Sequence, residues 1–344
     1  MTATRVPLNF LGIPFGLAGL ADTWLTMAGY GQAPQAPGEV LLAVSALVWL
    51  TVLGGYLRYV LSDRPALVRD LTDPIAGPFA SLAVITPMLL AAGGLYPLAP
   101  GAGRVLLDVF LALTVLLGAW FTGQWIYRPV ELDNFHPGYF LPTVAGGLIA
   151  SYGAATVGQR GLAAVMLGLG AVCWLVLGSI TMGRLLFRPP LPSPLLPTLA
   201  IEVAPAAVAS VAYFALRGDH VGTVIAFLGG YGLLMALAQV RLLPAYLRLP
   251  FMPGTWAFTF SWTAVATTAV HWLNDTAPGG YRIYEYVVLA AISALVGGIA
   301  VRTLVAIGRR QLLPKPVPAA TVAADPARSP AVAANAHPDH GDRS

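Results

Sequence analysis

Apolar residues run along this chain in blocks of twenty or more, separated by short stretches where prolines, glycines and charged residues collect. Ten such blocks can be drawn, at 8–29, 38–61, 77–97, 103–127, 138–158, 161–187, 197–216, 221–246, 253–273 and 283–308. Each is long enough for a helix that crosses the hydrocarbon core, which takes about 20 residues. The blocks differ in kind. Even-numbered ones are long, rich in Leu, Val and Gly, and mostly uninterrupted, whereas the odd-numbered ones carry Pro14, Pro87, Pro142, Pro205 and, in the last, Ser261 inside the apolar run.

A proline in mid-helix removes one backbone donor and frees the carbonyl four residues earlier. In hydrocarbon that is tolerated only where neighbouring helices, polar side chains or water make up the loss. A small residue follows one turn after each proline (Ala18, Ala91, Gly146 and Ala209). The breaks recur at intervals of roughly 55–75 residues, the length of two spans with their connections. The pattern predicts five degenerate repeats, each a broken helix followed by a plain one. With the odd helices as an inner ring and the even ones as an outer ring, the breaks meet near mid-membrane, their unsatisfied carbonyls and half-helix ends facing a pore. The plainer alternative is a bundle whose core helices are kinked, since proline is common in membrane helices. Ile13, Thr86, Leu141, Ala204 and Phe260 precede the five breaks. As pore-lining residues at one level they would form an apolar constriction that blocks by bulk and by dewetting.

Composition removes the soluble alternatives. Hydrophobic residues make up 57% of 344 and charged residues 10%, with a mean hydropathy of +0.73, which is outside the range of globular domains. The fold class expected is an all-α integral membrane protein, with ten transmembrane helices as five quasi-repeated helical hairpins around a central pore. The basic pI of about 9.3 does not signal nucleic acid, because the arginines sit singly at the ends of apolar runs. Thirteen basic residues between Arg5 and Lys315 fall on one side, against Arg104, Arg160, Arg217 and Arg282 on the other. That bias predicts a multi-pass protein of the plasma (inner) membrane with both termini cytoplasmic. Arg5 ahead of an apolar run superficially resembles a secretory signal, but the run is too long and contains Pro14. Residues 1–310 form the expected membrane domain, and 311–344, rich in Pro, Ala, Asp and His, a disordered cytoplasmic tail in which His337 and His340 are solvated. Cys173 has no partner for an intrachain disulfide. No nucleophile-base pattern, phosphate cradle or metal-ligand spacing stands out, so neither an enzyme nor a cofactor nor a metal is expected.

Glu202 is the awkward residue. A carboxylate inside an apolar helix costs several kcal/mol unless it is paired, hydrated or protonated. It sits at a membrane boundary, is neutral, or carries protons for a coupled transporter. Asp22, Asp108 and Glu285 pose weaker versions of the same question. Arg184 and Arg241 supply positive potential to a vestibule or serve as topology anchors.

The segments 9–17, 136–145, 204–206, 230–232 and 256–260 resemble the tellurite-resistance/dicarboxylate transporter family, which includes bacterial TehA-like proteins and the plant guard-cell slow anion channel. The likeness covers about residues 6–310. It implies a homotrimer of ten-helix protomers in membrane lipid. Each would have its own quasi-five-fold pore for small inorganic anions or oxyanions, closed near the middle by a phenylalanine that maps onto Phe260. Without the likeness, Phe260 reads equally well as ordinary aromatic packing. The function implied is a passive anion channel. The alternative is a proton-coupled transporter of dicarboxylates or oxyanions such as tellurite or sulfite, using Glu202.

Overall fold

The computed structural model describes residues 5–218 and 220–309, and among these it is helical with no strand. The long helices are α1 (Leu8–Gly29), α2 (Ala36–Ser62), α3 (Gly77–Leu98), α4 (Pro100–Tyr127), α5 (137–156), α6 (Arg160–Phe187), α7 (Leu196–Arg217), α8 (Thr223–Tyr246), α9 (253–276) and α10 (Tyr281–Gly308). All but α5 and α9 are long and apolar enough on length and composition to cross a membrane. The apolar blocks of the sequence fall on these helices to within about one turn. A short helix, Pro65–Thr72, joins α2 to α3 and is pinned by Arg5, whose Nη2 donates to the buried Asp70 carboxylate at 2.9 Å. The expected tail, with His337 and His340, lies outside the described residues, as do Arg310 and Lys315.

Burial divides the helices by parity. Of the apolar windows of α1, α3 and α7, 56–78% is buried, against 11–28% for α2, α4, α6, α8 and α10. The odd helices pack on one another in the order α1, α3, α5, α7, α9, and α9 returns to α1, closing the circuit. Each also packs against the even helix that follows it. The α1–α9 seam is a close approach: Gly16 and Gly19 lie against Thr259 and Thr263 so closely that a Cβ on either glycine would collide. Thr23 and Thr267 share a hydroxyl hydrogen bond of 2.9 Å on the same seam. Small residues permit the backbone approach, and buried hydroxyls tie it, as expected where helices associate without a hydrophobic drive between them.

Every odd helix begins as a 3₁₀ turn: Leu8–Leu11, Gly77–Ser81, Pro137–Phe140, Leu196–Val203 and Pro253–Trp256. The coil then widens at Gly12, Leu82, Leu141, Ala204 and Ala257, into α-helix in four cases and into a π segment at Leu141–Ala145. Pro14, Pro142 and Pro205 fall in the first turn of the wider helix, where a missing amide costs least. The carbonyls that Pro142 and Pro205 free, of Gly138 and Ile201, accept 3₁₀ bonds from the amides of Leu141 and Ala204. Pro87 differs. It lies inside Leu82–Leu89 and is followed by a π segment, Leu90–Leu95. The carbonyl it frees, Ala83, accepts the indole N–H of Trp49 from α2 at 3.0 Å. In α9 Ser261 Oγ donates back to the carbonyl of Ala257 at 3.0 Å, a pairing that tends to bend helices. The expectation of unsatisfied carbonyls facing a pore is therefore corrected at these breaks: neighbouring turns and an outer-helix indole take them up.

Candidate pore

The five points where the coil widens come together. Gly12, Leu82, Leu141, Ala204 and Ala257 all line one cavity of about 50 Å³ among the odd helices. Its wall is apolar apart from Asn9 and Ser261. A second cavity of about 20 Å³ continues along the same helices, lined by Gly19, Asp22, Leu89, Tyr152, Thr263 and Thr267 among others. Phe260 and Val208 line both. The wall follows one face of each helix, through Gly12, Phe15, Gly19 and Asp22 on α1 and Ala257, Phe260, Ala264 and Thr267 on α9, the 3–4 spacing of a helical stripe.

Between the cavities the Phe260 ring stacks on that of Phe15, with centroids 3.7 Å apart and planes inclined by 17°. Phe15 was not singled out by the sequence, although it lies on the Gly12–Gly19 stripe. Leu141 and Ala204 are on the wall of the first cavity, with Pro205 and Ser261 beside them. Ile13 is not: it packs with the cluster containing Leu17, Leu20 and Trp256, and Gly12 takes its place on the wall. Thr86 is buried and donates to the Leu82 carbonyl at 2.8 Å, leaving Phe79, Leu82 and Leu89 to supply the α3 wall. The reason is register. Counting back one residue from the proline reaches the junction for Pro142 and Pro205, falls one residue short for Pro14, and falls short by about a turn for Pro87. Pro142 and Pro87 themselves line outward grooves, between α4 and α6 and between α2 and α4.

Glu202 is buried, yet it lines neither cavity, and its Oε1 has no hydrogen-bond partner. In the 3₁₀ stretch, residues three apart share a face. Ile201 and Ala204 occupy the wall, so Glu202 is turned off it and lies within electrostatic reach of Tyr231 and Tyr246 of α8. Asp22 is on the wall of the second cavity, where its Oδ1 accepts the Tyr152 hydroxyl at 2.5 Å. Asp108 accepts from Gln159, and Glu285 is buried with neither carboxylate oxygen hydrogen-bonded. Arg184 is buried, donating to the carbonyls of Pro189 and Asp133 at 2.7 and 3.2 Å, while Arg241 is exposed. Among the described residues no cluster of three or more metal-ligating side chains occurs.

The amino-terminal ends of the odd helices gather toward the first cavity, since Asn9, Phe79, Phe140, Ile201 and Gly254 belong to their opening turns. Their macrodipoles therefore present partial positive charge on that side. His136 caps α5 there. Its Nδ1 accepts from the Gly138 amide at 3.1 Å and its Nε2 meets the Ile75 carbonyl at 3.2 Å. That carbonyl requires the Nε2–H tautomer, and burial pushes the imidazole down to about 4, so it is neutral at pH 7.

A membrane-crossing helical protein with two successive cavities among its inner helices has the build of a channel or transporter. Residues 5–304 match the family model described as SLAC1, voltage-dependent anion channel, and the chain belongs to that family. It is 27% identical over 286 residues to the tellurite resistance protein TehA homolog of Haemophilus influenzae, covering 82% of this chain and 86% of that one. It is 24% identical over 333 residues to the S-type anion channel SLAH2 of Arabidopsis thaliana and 25% over 302 residues to SLAH3 of the same plant. These matches cover 94% and 85% of this chain but 63% and 47% of the longer plant proteins. The family places the chain among multi-span membrane proteins of anion transport.

Proposed function

We propose that this protein is a passive, gated channel for small inorganic anions, built from ten membrane-crossing helices in five hairpins around a pore in each protomer. The observation that carries the reading is the placement of Phe260: it lies on the walls of both cavities and stacks on Phe15 between them. Opening the path requires the ring to move. Anions are favoured over cations by the gathered helix amino termini at the first cavity, without a fixed ligand cage. Tellurite and related oxyanions are candidate cargoes from the likeness to the TehA homolog. A homotrimer in the plasma membrane, with both termini cytoplasmic, completes the proposal.

The channel is preferred to the alternative, a proton-coupled carrier using Glu202, because that side chain lines neither cavity. Chloride flux from proteoliposomes, with and without an imposed pH gradient, tests the proposal. A channel gives flux that runs down the chloride gradient and a current that reverses at the chloride Nernst potential. Uphill accumulation driven by the proton gradient would establish the carrier instead.

A further inference from the structure

We infer that Asp22 and Tyr152 form a proton-binding site in the second cavity that controls whether an anion can cross it. The inference rests on the pore reading above. Both residues lie on the cavity wall beyond Phe260, and the Tyr152 hydroxyl holds Asp22 Oδ1. A hydrogen bond ties two helices here, α1 and α5, so the carboxyl is fixed in the path and not free to swing to solvent. No arginine or lysine is salt-bridged to Asp22 among the described residues. From α9, His271 lies within electrostatic reach. It pairs with Tyr30 through Nδ1 at 2.7 Å and stacks on Phe214. The lining contributed by α3 and α7 is Leu89, Val208 and Val211, which carry no titratable group.

Ionised Asp22 puts a full negative charge on the wall of a narrow space that a permeating anion must share, where water screens little. With a proton on the carboxyl, the side chain becomes a neutral donor, and the site offers the carboxyl O–H to the anion in place of a repelling charge. Anion occupancy and proton binding must therefore favour each other, by reciprocity of linkage. Glu202, off the path, has no such role.

Two measurements test this. In the first, chloride is added to weakly buffered detergent-solubilised protein at several pH values from mildly acidic to neutral, and proton uptake is followed with an indicator dye. The parent takes up protons, and Asp22→Asn, which keeps an acceptor for Tyr152, takes up none. Equal uptake by the two, or none by either, overturns the site. In the second, chloride currents of Phe260→Ala and Asp22→Asn/Phe260→Ala are compared in planar bilayers, with pH varied on each side in turn. The double variant conducts roughly tenfold better at neutral pH, the scale of removing a facing charge, and loses the increase on acidification. Equal conductance and unchanged pH dependence also overturn the site. Chloride-linked proton uptake without current from Phe260→Ala would remove the gate and keep the site. Tyr152→Phe is the second variant in both measurements and shows weakened pH dependence.

Discussion

The two layers of helices invert the usual relation between hydropathy and burial. α2 has a mean hydropathy of 2.2 and is 17% buried, whereas α1 reaches only 1.2 and is 67% buried. In water the most apolar segments go inside. In a bilayer the outer helices need only match lipid, and the inner ones are selected for close approach and for what they present to the path. α1 carries Gly12, Gly16, Gly19 and Asp22 along its wall and seam. α2 presents Leu47, Leu50, Leu57 and Leu61 outward.

That contrast can be broken most severely at the inner seam. Gly16→Leu drives a side chain into Thr259 and Trp256, and overpacking of this kind costs about 1–3 kcal/mol or more. The expected result is loss of monodisperse protein after detergent extraction. Gly54→Leu on α2, where an added Cβ meets nothing within 4 Å, should stay within about 0.5 kcal/mol of the parent.

Next in size is an effect of pH on the inner layer. His136 is held neutral in the fold, with its imidazole at about 4 against an ordinary value of 6.5. Its contribution is fully present above about pH 6.5 and is lost as pH falls toward 4, because the unfolded chain then binds the proton more readily. The difference corresponds to about 3 kcal/mol as an order of magnitude. Thermal unfolding at pH 7.5 and 4.5 should show a smaller acid loss for His136→Asn, which keeps a capping acceptor without titrating.

Smaller again is the link between layers. Trp49→Phe leaves the carbonyl freed by Pro87 without its partner and should cost about 1–3 kcal/mol. Leu116→Ile, on the exposed face of α4, should change thermal stability by no more than about 0.5 kcal/mol. A loss at Leu116 as large as that at Trp49 would erase the distinction between the layers.

These residues also show how far the sequence could be read. Helix positions and parity were legible, because hydropathy and proline placement are local properties. Leu141 and Ala204 could be placed because Pro142 and Pro205 directly follow the points where the coil widens. Thr86 could not, since the π segment after Pro87 and the indole of Trp49 absorb the break away from the cavity wall. Glu202 looked exceptional in one dimension, and only the 3₁₀ geometry of Leu196–Val203 turns it off the path. Asp22 and Tyr152 are 130 positions apart, and no local pattern joins them. Phe15 was within reach, three residues after Gly12 and four before Gly19 on the same helical face.

The central claim is that the ring of Phe260, stacked on Phe15, closes the path between the two cavities. It is tested most directly by the chloride current of purified Phe260→Ala in planar bilayers beside the parent under the same gradient. Removing the ring should raise the conductance at least about tenfold, since it takes away the bulk that seals an apolar constriction, and the current should reverse at the chloride Nernst potential. A Phe260→Ala protein that elutes as the parent does and conducts no better would contradict the account.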